Sequence, residues 1–432
     1  MNPKLKWLFA LALTGYLLIN FLLIPSKGTG DVENWTGIIS YVRLNPDKNL
    51  FPSCLNHQCG VFYPVTYPPG HFLVVYLAAR LFPANVTPLS TFKLTVALFY
   101  LLGFAALYFY NRSQSKIKFS SLKLALLYFS LPSFIINTQG LGYTDIFYVP
   151  FLILFLMLIR NERYFWSGLC FGVTLLIKWQ PIILLPLTLV FITFGKGKII
   201  NWRKTSLFIG GLFLMQLPIL LLNKNYLFTT WNYLINGAIG NTILSAALNL
   251  QWLVSFYFQN ILEIRAGSLP GFLIFSPDDP FRYLLDLAKI SYLIIYLLIV
   301  VFFIGKRSRR GIDFPFYLHT LFAVYFSYFM LSAGVHENHL IMAVVLALLL
   351  FIQHRTNKNK ILLFFTDQVC FWNMFIFYGL TGIPLFAQPY DNPRLYLAAA
   401  IIIFPLYLLV IFNYFLGQKP EDYYQEIRIF RS

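Results

Sequence analysis

Long apolar runs separated by short polar connections set the pattern of this chain. Twelve runs stand out, at 7–24, 91–110, 121–137, 146–160, 165–178, 181–195, 205–222, 289–304, 315–332, 340–353, 361–377 and 395–416. A helix that crosses a bilayer needs about 20 mostly apolar residues. The pattern therefore predicts an all-α, polytopic transmembrane helical bundle with about 12 spans, although several runs are short. The first run follows Lys4 and Lys6, as in a signal peptide. No small-residue cleavage site precedes Pro25 and other runs follow, so it reads as a retained first helix.

The cations between the runs orient the bundle. About two-thirds of the 33 Lys and Arg residues fall in 1–6, 111–123, 160–164, 196–204, 305–311, 353–360 and 417–432. Concentration in short connections on one side is the positive-inside pattern, and it places both termini in the cytoplasm. Residues 68–84 are apolar enough to span. If they did, every later connection would change sides and the four cations of 111–123 would face outward. They read instead as an interfacial or re-entrant helix on the outer leaflet, packed against the protein. Two long exoplasmic loops result, 25–90 and 223–288. No internal repeat, low-complexity run or linker divides residues 1–432, which read as a single integral-membrane domain.

Composition agrees with the pattern. Hydrophobic residues make up 58% of the 432 and charged residues 11%, with a mean hydropathy of +0.67. Soluble domains carry roughly 25% charged residues. The net charge of +17 is the loop bias just described, so membrane lipids are the expected polyanionic contact and nucleic acid is not. Cys54 and Cys59 share one loop without the second pair or histidines of a zinc site. On an exoplasmic loop they could form a disulfide. There is no Walker A and no dinucleotide fingerprint. Each of the two long loops is too short for a nucleotide-binding α/β domain. No cofactor is predicted, and dependence on a divalent metal is left open. An enzyme of this build must take a substrate that lives in or at the membrane.

Ionisable residues from four distant segments fall on the outer face. Asp31 and Glu33 lie in GTGDVENWTG, Asp145 in NTQGLGYTDIFY, Lys178 in LLIKWQP, and His336 and Glu337 in SAGVHENHLIMA. Ionisable groups near membrane depth are costly and often functional. Each also has a structural reading. Asp31 could cap the helix after it, and Asp145 the span after it. Lys178 could snorkel to the interface. His336 and Glu337 could pair with each other. The turn Tyr67 to Gly70 could be only a rigid entry to a helix.

At these residues the sequence resembles the GT-C fold glycosyltransferases, polytopic enzymes that take sugars from polyprenyl-phosphate carriers. GDVENW resembles the acidic position at the head of the first outer loop. TYPPGHF is similar to the Tyr-Pro-Pro element of several bacterial members, and NTQGLGYTD to the second-loop acidic element. GLCFGVTLLIKWQPIILLP resembles a Gly-rich span ending in lysine. SAALNLQWL is similar to a stretch with Asn-x-x-Trp, and GVHENHL to the His-Glu-Lys/Arg element near the donor phosphate. There are departures. Asn338 stands where Lys or Arg is usual, and Asp145 has no second acid beside it.

The resemblance implies that Asp31 is the catalytic base. A carrier-linked sugar brings its own leaving group, so one carboxylate near the acceptor hydroxyl suffices. The expected outcome is inversion by single displacement, because retention needs a second, close carboxylate. His336, Lys178 and Arg265 are the candidate cations for the departing phosphate. Glu337 would orient His336, and Asp145 would position the acceptor or Lys178. Glu33 and Tyr67 complete the candidate donor-binding set. Aromatic side chains can stack on sugar rings or line a sleeve for the isoprenoid, though most of them read as packing or lipid-facing; Trp35, Trp231 and Trp252 are the outer-side indoles to test. The donor would be a polyprenyl-phosphate hexose, with mannose or glucose suggested by the His-Glu element. The acceptor would be a glycan, a lipid-linked glycan or a protein. A prokaryotic plasma membrane with an exoplasmic active site is the expected setting. The alternatives are a transporter or lipid flippase, which would place its charges near the midplane across repeats, and an O-antigen ligase or polymerase.

Overall fold

The computed structural model describes residues 3–23, 26–45, 67–114, 118–194, 201–222, 244–262, 275, 279–310, 312–379 and 393–416. Cys54, Cys59, Trp231 and Arg265 lie outside the described residues. The helices are α1 (Pro3–Leu23), α2 (Gly30–Leu44), α3 (Pro69–Leu81), α4 (Pro88–Arg112), α5 (Ser121–Phe129), α6 (Pro132–Ile135), α7 (Val149–Arg160) and α8 (Tyr164–Ile177). They continue with α9 (Leu185–Phe194), α10 (Trp202–Leu222), α11 (Leu250–Asn260), α12 (Tyr283–Arg310), α13 (Phe314–Leu331), α14 (Ile341–Gln353), α15 (Asn357–Tyr378) and α16 (Pro393–Leu416). Among the described residues the one strand pairing is a parallel contact of Ser245–Ala246 with Val335–His336.

Every predicted apolar run falls on a helix, and the protein is all-α and polytopic. Six helices are long and apolar enough to cross a membrane: α4, α10, α12, α13, α15 and α16. A seventh candidate is α5 joined to the segment Pro132–Gly140 across a 61° bend. The bend has a local cause, because Leu131 precedes Pro132 and is held extended (φ −73°, ψ 108°). The estimate of about 12 spans exceeds the number of helices of crossing length. α7, α8, α9 and α14 have only 12, 14, 10 and 13 residues, against the ~30 Å hydrocarbon thickness at 1.5 Å per residue. The same arithmetic applies to 68–84. Its helix, α3, is 13 residues long, too short to cross by itself. It buries His71, Phe72, Val75, Ala78 and Ala79 and exposes Leu73, Leu77 and Leu81.

The chain forms two compact units. The first comprises Met1–Ile182, Trp202–Leu234 and Met374–Asp391. Its tightest crossing is α8 on α10. A Cβ at Gly168 would overlap the Phe208 carbonyl oxygen, and one at Gly211 would overlap that of Phe165. Gly168 and Gly172 form a Gly-x-x-x-Gly face, the small-residue solution for helix contact where lipid removes the hydrophobic drive. This crossing fixes the end of α8, where Lys178 follows. We expect Gly168→Val to lower the thermal unfolding midpoint in detergent, at about 1–3 kcal/mol of overpacking. An unchanged midpoint would contradict the close approach.

The second unit comprises Ile183–Asn201, Ile235–Asn373 and Asn392–Ser432. α14 is apolar on every side and buried from Ile341 through Leu350, as a central helix must be. Around it, hydroxyl pairs join helices. Thr188 and Tyr317 meet at 2.7 Å, Thr320 and Tyr414 at 2.9 Å, and the Tyr407 hydroxyl donates to Ser327 Oγ at 3.0 Å. α12, by contrast, exposes Ile290, Leu293, Ile294, Leu297, Leu298 and Val301, the surface of a helix that faces lipid.

Candidate active site

Four of the singled-out residues converge in the first unit. Thr29, not Asp31, is the N-cap of α2. Asp31 is half-buried in the first helical turn, and its Oδ2 accepts from the Tyr67 hydroxyl at 3.4 Å. The Pro68–Pro69 pair starts α3 and leaves Tyr67 just before it. The Tyr67 ring lies edge-on to Trp35 (5.0 Å between centroids) and against His71 (4.5 Å). Trp35 in turn packs on His71 at 4.2 Å, so a layer of buried aromatic side chains supports the tyrosine.

Asp145 lies in a 3₁₀ turn, Thr144–Phe147. It does not cap α7. Its Oδ1 accepts from Lys178 Nζ at 2.8 Å, with the two side chains 2% and 5% exposed. Lys178 therefore does not snorkel. Its backbone is extended at the end of α8 (φ −151°, ψ 142°), and its Nζ stands 5.5 Å from the centre of the Tyr67 ring. Asp31, Tyr67, Asp145 and Lys178 thus form one cluster with two carboxylates and one ammonium.

The electrostatics follow from burial. Desolvation pushes the Asp31 carboxyl above the usual carboxylate range, Lys178 and the Tyr67 hydroxyl pull it back, and Asp145 pushes it up again. Burial also raises the Tyr67 hydroxyl well above an ordinary tyrosine, and both aspartates add to that. Tyr67 accordingly acts here as a hydrogen-bond donor and stays protonated.

Backbone anchors hold the cluster in place. Thr29 N–H donates to Leu141 O at 3.1 Å, and Ser26 Oγ donates to Gly140 O at 2.8 Å. These bonds tie the start of α2 to the segment that leads to Asp145. Sequence reasoning passed over Lys93, whose Nζ donates to the same segment. A lone lysine inside the apolar run 91–110 was the available signal. It also passed over His71, four residues after Tyr67 and so on the same side of the turn into α3.

Other expected site residues lie elsewhere. Glu33 is exposed, roughly 200° around α2 from Asp31 at 100° per residue. Trp35 and Trp252 are each 1% exposed, so both indoles pack internally and present no open face for stacking. His336 and Glu337 belong to the second unit, where Glu337 is buried. There the two motifs SAALNLQWL and GVHENHL are physically joined through the strand pairing. Asn249 Nδ2 grips Phe329 O and Gln251 Nε2 grips Leu331 O, each at 2.7 Å, at the end of α13 that precedes His336. His336 N–H donates to His339 Nδ1 at 3.3 Å, a partner not singled out from sequence. Among the described residues no group of three or more His, Cys, Asp or Glu could hold a metal ion.

Several apolar helices of crossing length, with an ionisable cluster built on the helices between them, define a polytopic integral membrane protein with a polar site. The chain belongs to glycosyltransferase family 87, whose pattern matches residues 65–333, well over half its length. That is a GT-C-type family of polytopic membrane glycosyltransferases, and the protein is accordingly a membrane glycosyltransferase. The matched stretch contains Tyr67, Asp145 and Lys178. Asp31 precedes it, and His336 and Glu337 follow it. No match was found among curated proteins.

Proposed function

We propose that the protein transfers a hexose from a polyprenyl-phosphate carrier to an acceptor hydroxyl, by one inverting displacement in which Asp31 takes the hydroxyl proton. The observation that carries this reading is the state of the Asp31 carboxylate. Tyr67 holds Oδ2, and no described residue hydrogen-bonds Oδ1, which is left to the acceptor. A base needs its proton within hydrogen-bond reach, and Oδ1 can offer that. The Lys178–Asp145 pair is internally neutral, so the cluster carries about one negative charge when Asp31 is ionised. Such a site attracts a hydroxyl proton and repels a phosphate. Lys178 then serves the base by favouring its charged form. For the departing phosphate, His336 and Arg265 are the proposed cations, with Glu337 as the partner of His336. Mannose or glucose is the proposed sugar. A glycan, lipid-linked glycan or protein is the acceptor, at the exoplasmic face of a prokaryotic plasma membrane with both termini inside. Membership of a glycosyltransferase family counts against the transporter and flippase reading.

The reading makes a signed pH prediction. A base must be ionised, so kcat/KM falls as pH drops through the Asp31 pKa. That pKa is raised, and the acid limb is expected above the range of an ordinary aspartate. Tyr67→Phe removes a donor to the carboxylate and disfavours its charged form, so the limb moves to still higher pH. A limb that stays in place in Tyr67→Phe would separate Tyr67 from the base. The reading as a whole is tested by label transfer from synthetic polyprenyl-phosphate mannose and glucose to a pooled lipid and glycan acceptor. Binding of these donors without turnover under any acceptor would count against Asp31 chemistry of this kind.

A further inference from the structure

Lys93 is fully buried in α4, and the proposed chemistry gives it no role. Its Nζ donates to Gln139 O at 2.6 Å and to Gly140 O at 3.2 Å. Those carbonyls end a π-helical turn, Ile136–Gly140. A π turn widens the helix and is found most often at functional sites, and charged donors make the strongest hydrogen bonds to such acceptors. The same short stretch is where α2 is fastened. Gly140 O also takes the Ser26 hydroxyl, and Leu141 O takes Thr29 N–H. Gly142 then turns the chain in the left-handed region (φ +68°), so close to α2 that a Cβ there would lie 2.7 Å from Val32 Cγ2 and 3.4 Å from Lys93 Nζ. Asp31 is next to Val32, and Asp145 is three residues beyond Gly142.

We propose that Lys93 is a positioning residue that tethers the two acidic segments, holding the carbonyls at 139 and 140 so that Asp31 and the Asp145–Lys178 pair keep their mutual geometry. The inference rests on the reading of Asp31 as base for its kinetic consequence, and on geometry alone for the tether. An ammonium buried in an apolar span is expensive, and its bonds to the Gln139 and Gly140 carbonyls, beside the two bonds that fasten α2, give it a use. Lys93 touches no reacting atom in this account. It acts through the backbone that carries Asp31 and Asp145, and displacements of about 1 Å in such groups reduce rates on the order of 10²-fold.

The test uses the full-length protein in lipid nanodiscs. Amide hydrogen exchange is measured for peptides covering 26–35 and 139–147 in wild type, Lys93→Met and Lys93→Arg. Lys93→Met is expected to speed exchange in both peptides together, with α8 and α10 unchanged, and Lys93→Arg to restore part of the protection. If either peptide keeps wild-type protection in Lys93→Met, there is no tether. Turnover with polyprenyl-phosphate mannose is then compared in two backgrounds. Lys93→Met is expected to reduce kcat about 10–100-fold with donor KM unchanged. In an Asp31→Asn background it is expected to cost nothing further. A loss that multiplies onto Asp31→Asn means a smaller folded fraction, and overturns the positioning role. Wild-type turnover by Asp31→Asn alone would overturn the base and leave the exchange result to decide the tether.

Discussion

Asp31→Asn is expected to yield a folded, membrane-inserted protein whose sugar transfer is reduced by on the order of 10² or more. The substitution is nearly isosteric, and Asn Oδ1 can still accept from the Tyr67 hydroxyl that now donates to Asp31 Oδ2. Thr29, and not Asp31, sits at the cap of α2, so the helix loses no cap. What disappears is the group able to take a proton. Residual transfer in the variant should also lose the acid limb of the pH profile, because the limb belongs to the residue removed. Donor KM should change little, since the cluster repels rather than binds phosphate. A variant with the same limb and a raised KM would recast Asp31 as a binding residue.

Lys178→Met is expected to carry the largest stability effect. Lys178 and Asp145 are paired at 2.8 Å and nearly inaccessible. Removing one member of a buried pair leaves an uncompensated charge and typically costs about 3–5 kcal/mol. Replacing both members, as in Lys178→Met with Asp145→Leu, should recover much of the thermal midpoint, because apolar replacement of a buried pair is often near neutral. Transfer should not recover. Without Lys178 the Asp31 carboxyl loses the cation that favours its charged form, so the acid limb moves to higher pH in the double variant. If the double variant regained wild-type transfer with an unmoved limb, the pair would be a structural bridge only.

Much of this was legible along the chain because apolar periodicity and lysine placement report on lipid directly. Each of the twelve runs became a helix. Their lengths in space were less legible, since an apolar run is the same signal for a span and for a buried short helix. α14 is the clearest case, too short at 13 residues yet entirely apolar because protein surrounds it. The convergence of Asp31, Tyr67, Asp145 and Lys178 could be suspected from a common side and a family resemblance. The resemblance implies two roles for Asp145, to position the acceptor or Lys178, and the structure brings Asp145 and Lys178 to 2.8 Å, a contact between residues 33 apart that no local pattern encodes. Trp35, an outer-side candidate for stacking, is part of the packing beneath Tyr67. Lys93 stood out only as a lone lysine in an apolar run, and what it binds was not legible. Its partners are backbone carbonyls of a π turn, and a turn of that kind has no side-chain signature in INTQG.

The central claim is that Asp31 removes the acceptor proton during transfer from a polyprenyl-phosphate sugar. The most direct measurement is transfer of radiolabelled hexose from synthetic polyprenyl-phosphate mannose or glucose by purified wild type and Asp31→Asn, side by side, with donor binding followed in parallel. The account predicts label moved by wild type, transfer reduced by on the order of 10² or more in the variant, and equal donor binding by both. Near-normal transfer by Asp31→Asn would contradict it.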